Sequence, residues 1–195
     1  MIQEKKRELN FQEVWEELRP DQLIYVNFFR RWGCIFCKAG AMELNKTFDK
    51  VNEEFPGKLK FIGIGIEEEG YEEFKQQGYF KHDLYVNRNK TIYKALEYKS
   101  IGFLNCFGRC TRNYWTRIKA VETKFDKITN DLTLKQDNFQ MGGCLIINPA
   151  GNIIWQYMDS FFGDFAKDAD ILEAISDYYT KEGKAQIIIM DKVIN

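Results

Sequence analysis

Two cysteines three residues apart, Cys34 and Cys37, stand between a segment typical of a buried strand and a segment typical of a long helix. The preceding residues, 23–29, are almost all apolar or aromatic. The following residues, 38–55, repeat large apolar side chains at helical spacing. A thiol at the N-terminus of a helix is favoured as a thiolate by free N–H groups and the helix dipole. The arrangement therefore predicts a redox-active dithiol at a strand-to-helix turn.

Length and composition indicate a packed globular protein. The 195 residues are 45% hydrophobic and include 16 Phe, 10 Tyr and 4 Trp, which is enough for one domain with a sizeable core. A formal net charge of −1 gives no reason to expect a nucleic-acid partner. Residues 1–7 lack the apolar part of a secretory signal, and no stretch approaches a membrane span. With an odd number of cysteines, five, we expect free thiols and a cytoplasmic location.

Periodicity and turn residues predict alternating strands and helices. After the first strand and helix, the predicted strands are residues 60–66, 84–86, 144–148 and 153–158, and further helices are predicted at 11–18, 71–77, 90–96 and 168–179. This order implies parallel strands covered on both faces, with an antiparallel hairpin added. We therefore predict an α/β, thioredoxin-like three-layer sandwich with a mixed central sheet, in which residues 1–195 form a single domain.

Two segments fit this plan less well. Residues 99–138 show no clear period and are predicted as an insertion. Their basic side chains either form a solvated face, which is the more frequent role of such a run, or attract an anionic group such as a carboxylate: Lys99, Arg109, Arg112, Arg117, Lys119, Lys124 and Lys127. Residues 181–195 are predicted as a C-terminal extension, in which the β-prone run 186–190 adds to a sheet edge or docks onto a protein partner.

Several landmarks resemble the peroxiredoxin-like 2 family. Residues 31–37 read Arg-Trp-Gly-Cys-Ile-Phe-Cys and match its R-x-G-C-x-x-C pattern, and similar segments follow at residues 79–86, 92–96, 140–143, 162–164 and 171–174. The resemblance implies an AhpC/TSA-type domain of the thioredoxin-like superfamily. It implies reduction of a peroxide or a lipid endoperoxide through the dithiol. It also implies no bound cofactor, with electrons arriving from thioredoxin and, indirectly, NADPH.

The resemblance assigns catalysis to Cys34 and Cys37 and leaves the order of attack open. In thioredoxin-like enzymes the first, exposed cysteine is the usual nucleophile, which makes Cys34 the attacking thiol and Cys37 the resolving thiol. In peroxiredoxins the attacking thiol lies three residues after a Thr or Ser, which corresponds to Cys37. This chain has Cys34 at that position and Arg30 where peroxiredoxins have a proline, so it departs from the ordinary peroxiredoxin pattern.

The predicted substrate-binding residues are Arg30, Arg31, Gly142 and Gly143. Either arginine can hold a thiolate electrostatically, meet a substrate carboxylate, or be a solvated charge at a strand end. Thioredoxins place a cis-proline beside the dithiol, just before a strand. The glycine pair stands at the corresponding place, where absent side chains would let a substrate approach the sulfurs.

The same residues allow two other functions. The dithiol together with Cys106 and Cys110 has four potential zinc ligands, but a pair between a core strand and a long helix is not typical of structural zinc sites, and we expect no metal. Alternatively, the fold is a redox-inert interaction subunit of a larger assembly, bound through residues 99–138 or the C-terminal segment. The single histidine, His82, is predicted to be a surface residue.

Overall fold

A computed structural model describes residues 11–100, 111–124 and 139–194 of the chain. The strands in this part are β1 (Leu23–Phe28), β2 (Leu59–Gly65), β3 (Asp83–Val86), β4 (Gly143–Ile147) and β5 (Ile153–Met158). They form one sheet in the order β3-β2-β1-β4-β5. Strands β1, β2 and β3 are parallel, whereas β4 runs antiparallel to both β1 and β5. The predicted mixed sheet with an added hairpin is therefore present.

The helices of the described residues are α1 (Phe11–Glu16), α2 (Ile35–Glu54), α3 (Tyr71–Gln76), α4 (Thr91–Ala95), α5 (Thr111–Lys124) and α6 (Asp168–Ile194). Helices α1 to α4 lie close to their predicted positions. Helix α5 lies within residues 99–138, where the sequence predicts no regular element. Across the described ranges, none of the helices is both long and apolar enough to cross a membrane.

Strand β1 is the centre of the sheet and is buried along its whole length. On one face Tyr25 packs edge-on against Phe48 of α2, with ring centroids 5.0 Å apart. On the other face Phe28 packs against Tyr93 of α4 at 5.2 Å. A central strand covered on both faces requires a nearly continuous apolar sequence, and this pattern made β1 predictable. The chain leaves the end of β1 directly into the turn that carries the dithiol.

The chain divides into two compact units, Met1–Phe165 and Ala166–Asn195. The first contains the sheet and the dithiol, and the second contains α6. The prediction of a β-prone run at 186–190 is wrong, because α6 continues without interruption to Ile194. Three consecutive isoleucines lower helix propensity by only tenths of a kcal/mol each, while the neighbouring Lys, Ala, Gln and Met residues are good helix formers.

Candidate active site

The dithiol lies at the N-terminus of α2. Cys34 is the N-cap residue of the helix, and Cys37 lies in its first turn. The backbone N–H of Lys38 donates to the carbonyl of Cys34 at 3.0 Å, which closes that turn. The helix begins at Ile35, earlier than the predicted residue 38, because the segment between the cysteines is already helical. Both thiols therefore lie where the helix dipole favours a negative charge.

Both cysteines are free thiols and both are buried, with exposed fractions of 3% for Cys34 and 5% for Cys37. The expectation of an exposed first cysteine is wrong. The buried side chain of Arg30 folds back from the end of β1 onto the sulfur of Cys34, which accounts for part of this burial. A reagent must therefore reach a sulfur that is enclosed by protein.

Arg30 binds the sulfur of Cys34 directly. Its Nη2 donates to Sγ of Cys34 at 2.9 Å. Its guanidinium carbon lies 4.1 Å from the centroid of the Phe162 ring, in a cation–π contact. A cation in contact with a sulfur favours the thiolate form. Of the three roles considered for Arg30, this contact geometry supports the one in which its guanidinium stabilises a thiolate electrostatically.

The two thiols have pKa values shifted in opposite directions. The pKa of Cys34 lies well below the ordinary thiol value, because the Cys37 thiol donates a hydrogen bond to its sulfur and the charge of Arg30 adds to this against the effect of burial. The pKa of Cys37 lies well above it, because Cys37 is the donor of that bond and is itself buried. Of the two thiols, Cys34 is therefore the one that ionises more readily.

Trp32 anchors the turn between β1 and α2. Its indole Nε1 donates to the carbonyl of Glu67 at 2.6 Å. Its ring lies so close to Gly65 that a Cβ there would be 2.2 Å from Cζ2 of the indole. Trp32 and the neighbouring Arg31 are both almost fully buried. The site therefore has a second cation inside the protein, in the electrostatic field of the Glu67 carboxyl.

Two carboxyl groups near the arginines have raised pKa values, and neither is among the site residues predicted from the sequence. Burial raises the pKa of Glu67 to about 7, although the charges of Arg31 and Arg30 act in the opposite direction. Burial, and then the charge of Asp164, raises the pKa of Asp159 to about 8, against the effect of Arg30. In sequence these residues resemble ordinary acidic loop residues, because only the tertiary fold reveals their burial.

Gly142 and Gly143 lie where β4 begins, beside the end of β1. A Cβ on Gly142 would lie 2.2 Å from the carbonyl oxygen of Phe28, and one on Gly143 would lie 2.3 Å from that of Tyr157. The glycines therefore allow three strands to approach closely at this end of the sheet. Their binding of a substrate stays a prediction.

Cys144 and His82 take no part in this arrangement of charges and thiols. Cys144 is buried in β4, and burial raises the pKa of its thiol to about 12. Cys106 and Cys110, the cysteines of the zinc alternative, lie outside the described residues. His82 is half-buried rather than a surface residue, because its ring packs against phenylalanines, including Phe48 at 5.1 Å between centroids.

Comparison with known proteins gives consistent matches. Residues 43–160 match the model of the AhpC/TSA antioxidant enzyme family. The prostamide/prostaglandin F synthase of Salmo salar is 30% identical over 172 residues, covering 86% of this chain and 79% of that protein. The synthase of Sus scrofa is 28% identical over 167 residues, covering 83% and 76%. The predicted resemblance is confirmed. The family match begins after the dithiol, so the roles of the two thiols rest on the geometry.

Solved structures show the same fold at low sequence identity. A peroxiredoxin Q mutant of Xylella fastidiosa matches with a TM-score of 0.55 and 9% identity, covering 86% of this chain and 82% of that one. The reduced 2-Cys peroxiredoxin of Plasmodium vivax matches with a TM-score of 0.53 and 14% identity, covering 83% and 80%. The predicted thioredoxin-like α/β fold is confirmed.

Proposed function

Because the chain belongs to the AhpC/TSA antioxidant enzyme family, and is thus an oxidoreductase of the thioredoxin-like superfamily, we propose that it reduces a peroxide or a lipid endoperoxide through Cys34 and Cys37. Cys34 is the attacking thiolate and Cys37 is the resolving thiol. The observation that carries this assignment is the contact of Arg30 Nη2 with Sγ of Cys34 at 2.9 Å, on the thiol whose pKa is lowered.

The first step breaks the O–O bond. The Cys34 thiolate attacks one oxygen, an S–O bond forms, and the other oxygen leaves with the electron pair and takes up a proton. The sulfur is oxidised by two electrons and the peroxide is reduced. A hydroperoxide gives an alcohol and a sulfenic acid, whereas an endoperoxide gives a hydroxyl group and a sulfenate ester on the same molecule.

The second step forms the disulfide. The sulfur of Cys37 attacks the sulfur of Cys34, the S–S bond forms and the S–O bond breaks. The proton of the Cys37 thiol then goes to the departing oxygen, which leaves as water or as the second hydroxyl group of a diol. The raised pKa of Cys37 suits this role, because the thiol keeps its proton until the first step has occurred.

The relatives support a lipid endoperoxide as one substrate class, because several of them are named prostamide/prostaglandin F synthase. Arg31 offers a second buried cation near the site for an anionic substrate group, and Gly142 and Gly143 line the adjoining end of the sheet. We further propose that a thioredoxin-type protein reduces the disulfide, with NADPH as the indirect electron source, in the cytoplasm. No bound cofactor is needed for either step.

Peroxide turnover by the full-length protein tests the proposal. The reduced protein is treated with one equivalent of tert-butyl hydroperoxide or of prostaglandin H2, and its cysteines are mapped by mass spectrometry. Consumption of NADPH is then followed with thioredoxin and thioredoxin reductase. We expect a Cys34–Cys37 disulfide and sustained turnover.

The cysteine variants assign the roles. Cys34→Ser should abolish oxidation, and Cys37→Ser should accumulate an oxidised Cys34 that a sulfenic-acid reagent traps. The matched control Cys144→Ala should behave as wild type, because that thiol is buried in β4 and its pKa is raised. If neither oxidant oxidises Cys34 or Cys37, the proposal is overturned and the redox-inert interaction module is favoured.

A further inference from the structure

We propose that Glu67 supplies the proton taken up by the first leaving oxygen when Cys34 breaks the O–O bond. This inference rests on the proposed dithiol function and identifies a further catalytic residue for it. Both the proton balance of the reaction and the position of Glu67 at the dithiol turn support this assignment.

The reaction needs a proton that the two thiols cannot supply. Reduction of one O–O bond leaves two oxygens that must each gain a proton. Cys37 gives one of them in the second step, but Cys34 enters the reaction as a thiolate and has none to give. Arg30 and Arg31 do not release protons in the neutral range. A protonated group other than the thiols and arginines must therefore serve the first step.

Glu67 is held against the turn that carries the dithiol. Its carboxylate accepts the backbone N–H of Trp32, and its carbonyl accepts the indole N–H of Trp32 at 2.6 Å. The loop that follows also lies against this turn, because a Cβ on Gly70 would be 3.5 Å from the backbone nitrogen of Gly33. Glu67 thus has a fixed position next to the residues that immediately precede Cys34.

The Glu67 carboxyl is suited to carry a proton. Its Oε1 is buried and has no hydrogen-bond partner within the described parts of the chain, so a proton there is not committed to another acceptor. The residue as a whole is only half-buried, so solvent can replace a proton that has been given away. A pKa of about 7 lets the group give up and regain a proton near neutral pH.

The charged and titratable groups around Glu67 determine how its proton responds to pH. Arg31 and Arg30 favour the ionised form, whereas Glu69 favours the protonated form together with burial. Tyr93 of α4 also interacts electrostatically with Glu67. Burial raises the pKa of Tyr93 well above its ordinary value of 10.0, so this hydroxyl stays neutral near pH 7. Because the folded pKa of Glu67 is raised, the acid form predominates below pH 7 and is lost as the pH rises through that value.

Asp159 is the competing acid. Its Oδ2 lies 3.0 Å from the position of a Cβ on Gly142, at the end of the sheet beside the dithiol, and its pKa is raised to about 8. It lacks the two hydrogen bonds with Trp32 that tie Glu67 to the dithiol turn. The experiment must therefore include both carboxyl groups.

The test compares two oxidants in single-turnover oxidation of Cys34 by the full-length protein. An alkyl hydroperoxide releases a strongly basic alkoxide and needs an acid, whereas peracetic acid releases a weakly basic carboxylate and does not. For Glu67→Gln we expect the rate constant with tert-butyl hydroperoxide to fall on the order of 100-fold, with little change for peracetic acid. The matched control Glu72→Gln removes an exposed carboxylate from the first turn of α3 and should leave both rates unchanged.

The pH profile gives a second readout that needs no variant. In the wild type, the rate with the hydroperoxide relative to peracetic acid should decrease as the pH rises through 7, and this decrease should be absent in Glu67→Gln. An equal loss with both oxidants would show a structural role and overturn the inference. If Asp159→Asn, and not Glu67→Gln, lowers only the rate constant with the hydroperoxide, the proton comes from Asp159 and the inference for Glu67 is overturned. If neither oxidant attacks wild-type Cys34, the proposed function itself fails.

Discussion

At the residue scale, Cys34 and Cys37 are chemically identical and lie three positions apart, yet the fold gives them different tasks. The sulfur of Cys34 accepts hydrogen bonds from the Cys37 thiol and from Arg30, whereas the thiol of Cys37 is a donor. The donation by Cys37 is the largest cause of the lowered pKa of Cys34. Each thiol therefore prepares the other for its role, and replacing the resolving thiol must also alter the nucleophile.

A matched pair of substitutions at Cys37 tests this dependence. Serine keeps a hydroxyl donor toward Cys34, whereas alanine removes it. We expect the pKa of Cys34 to be higher in Cys37→Ala than in Cys37→Ser, with alkylation of Cys34 at neutral pH about tenfold slower, as expected for the loss of one charge-assisted hydrogen bond. The pH dependence of iodoacetamide labelling provides the measurement. Equal pKa values in the two variants would show that Arg30 alone sustains the thiolate.

The residues of the site differ in how far the sequence predicts them. Cys34, Cys37 and Arg30 are contiguous with a strand-to-helix boundary, so local pattern alone brings them together. Glu67 and Asp159 reach the site from other elements, and their raised pKa values come from burial that no local pattern reveals.

At the element scale, the first turn of α2 also carries a buried cation. Lys38 is 1% exposed, and its Nζ lies 2.8 Å from Oε1 of Glu73 on α3. The same ammonium lies 5.3 Å from the centroid of the Tyr79 ring. The pair joins the N-terminus of α2, and with it the dithiol, to the helix that follows β2. This contact holds the start of α2 against the rest of the domain.

The two ends of this ion pair should differ in their effect on stability. Glu73→Gln removes the carboxylate while a buried ammonium stays in place, so we expect a loss of about 1–2 kcal/mol, moderated by the partial exposure of Glu73. Lys38→Met removes the charge and retains an apolar side chain of similar length, so a smaller loss is expected. Urea unfolding measures both. A larger loss for Lys38→Met than for Glu73→Gln would contradict this account.

The elements predicted most accurately are those whose pattern matches their burial. Strand β1 is covered on both faces and reads as a continuous apolar run, and the β4–β5 hairpin is marked by turn residues between two apolar runs. Helix α5 was missed because its basic and aromatic residues mask the helical period. The length of α6 was missed because three consecutive isoleucines, at 187–189, look like a strand when read alone.

At the scale of the whole molecule, His82 belongs to an aromatic cluster that joins three elements. Its ring centroid lies 5.1 Å from those of Phe48 in α2 and Phe61 in β2, and 5.3 Å from that of Phe80, which precedes β3. Burial lowers the pKa of His82 below its ordinary value of 6.5, against the charges of Asp49 and Asp83. The folded protein therefore favours the neutral ring.

This burial makes stability depend on pH. Below pH 6.5 the unfolded chain binds a proton at His82 more readily than the folded chain, so the contribution of His82 to stability is present above that value and is lost as the pH falls. We expect the free energy of unfolding to decrease more on mild acidification in the wild type than in His82→Leu. Glu67 and Asp159 act in the opposite direction, because their raised pKa values favour the fold at lower pH. Both carboxyl groups are present in the wild type and in His82→Leu, so the difference in the pH dependence of their unfolding free energies reports on His82. Identical pH dependence in the two proteins would contradict the burial of His82 as a neutral ring.

The central claim is that Arg30 and Cys37 make Cys34 a thiolate nucleophile inside a peroxiredoxin-like fold. The most direct measurement is the rate of alkylation of Cys34 as a function of pH, resolved from Cys37 by mass spectrometry, in the wild type and in Arg30→Gln. Arg88→Gln is the control, because that arginine is exposed and pairs with Glu68. We predict that Cys34 ionises well below the ordinary thiol pKa of about 8.5 in the wild type and the control, and at a higher pH in Arg30→Gln. A wild-type Cys34 that ionises at or above that value, or after Cys37, would contradict the account.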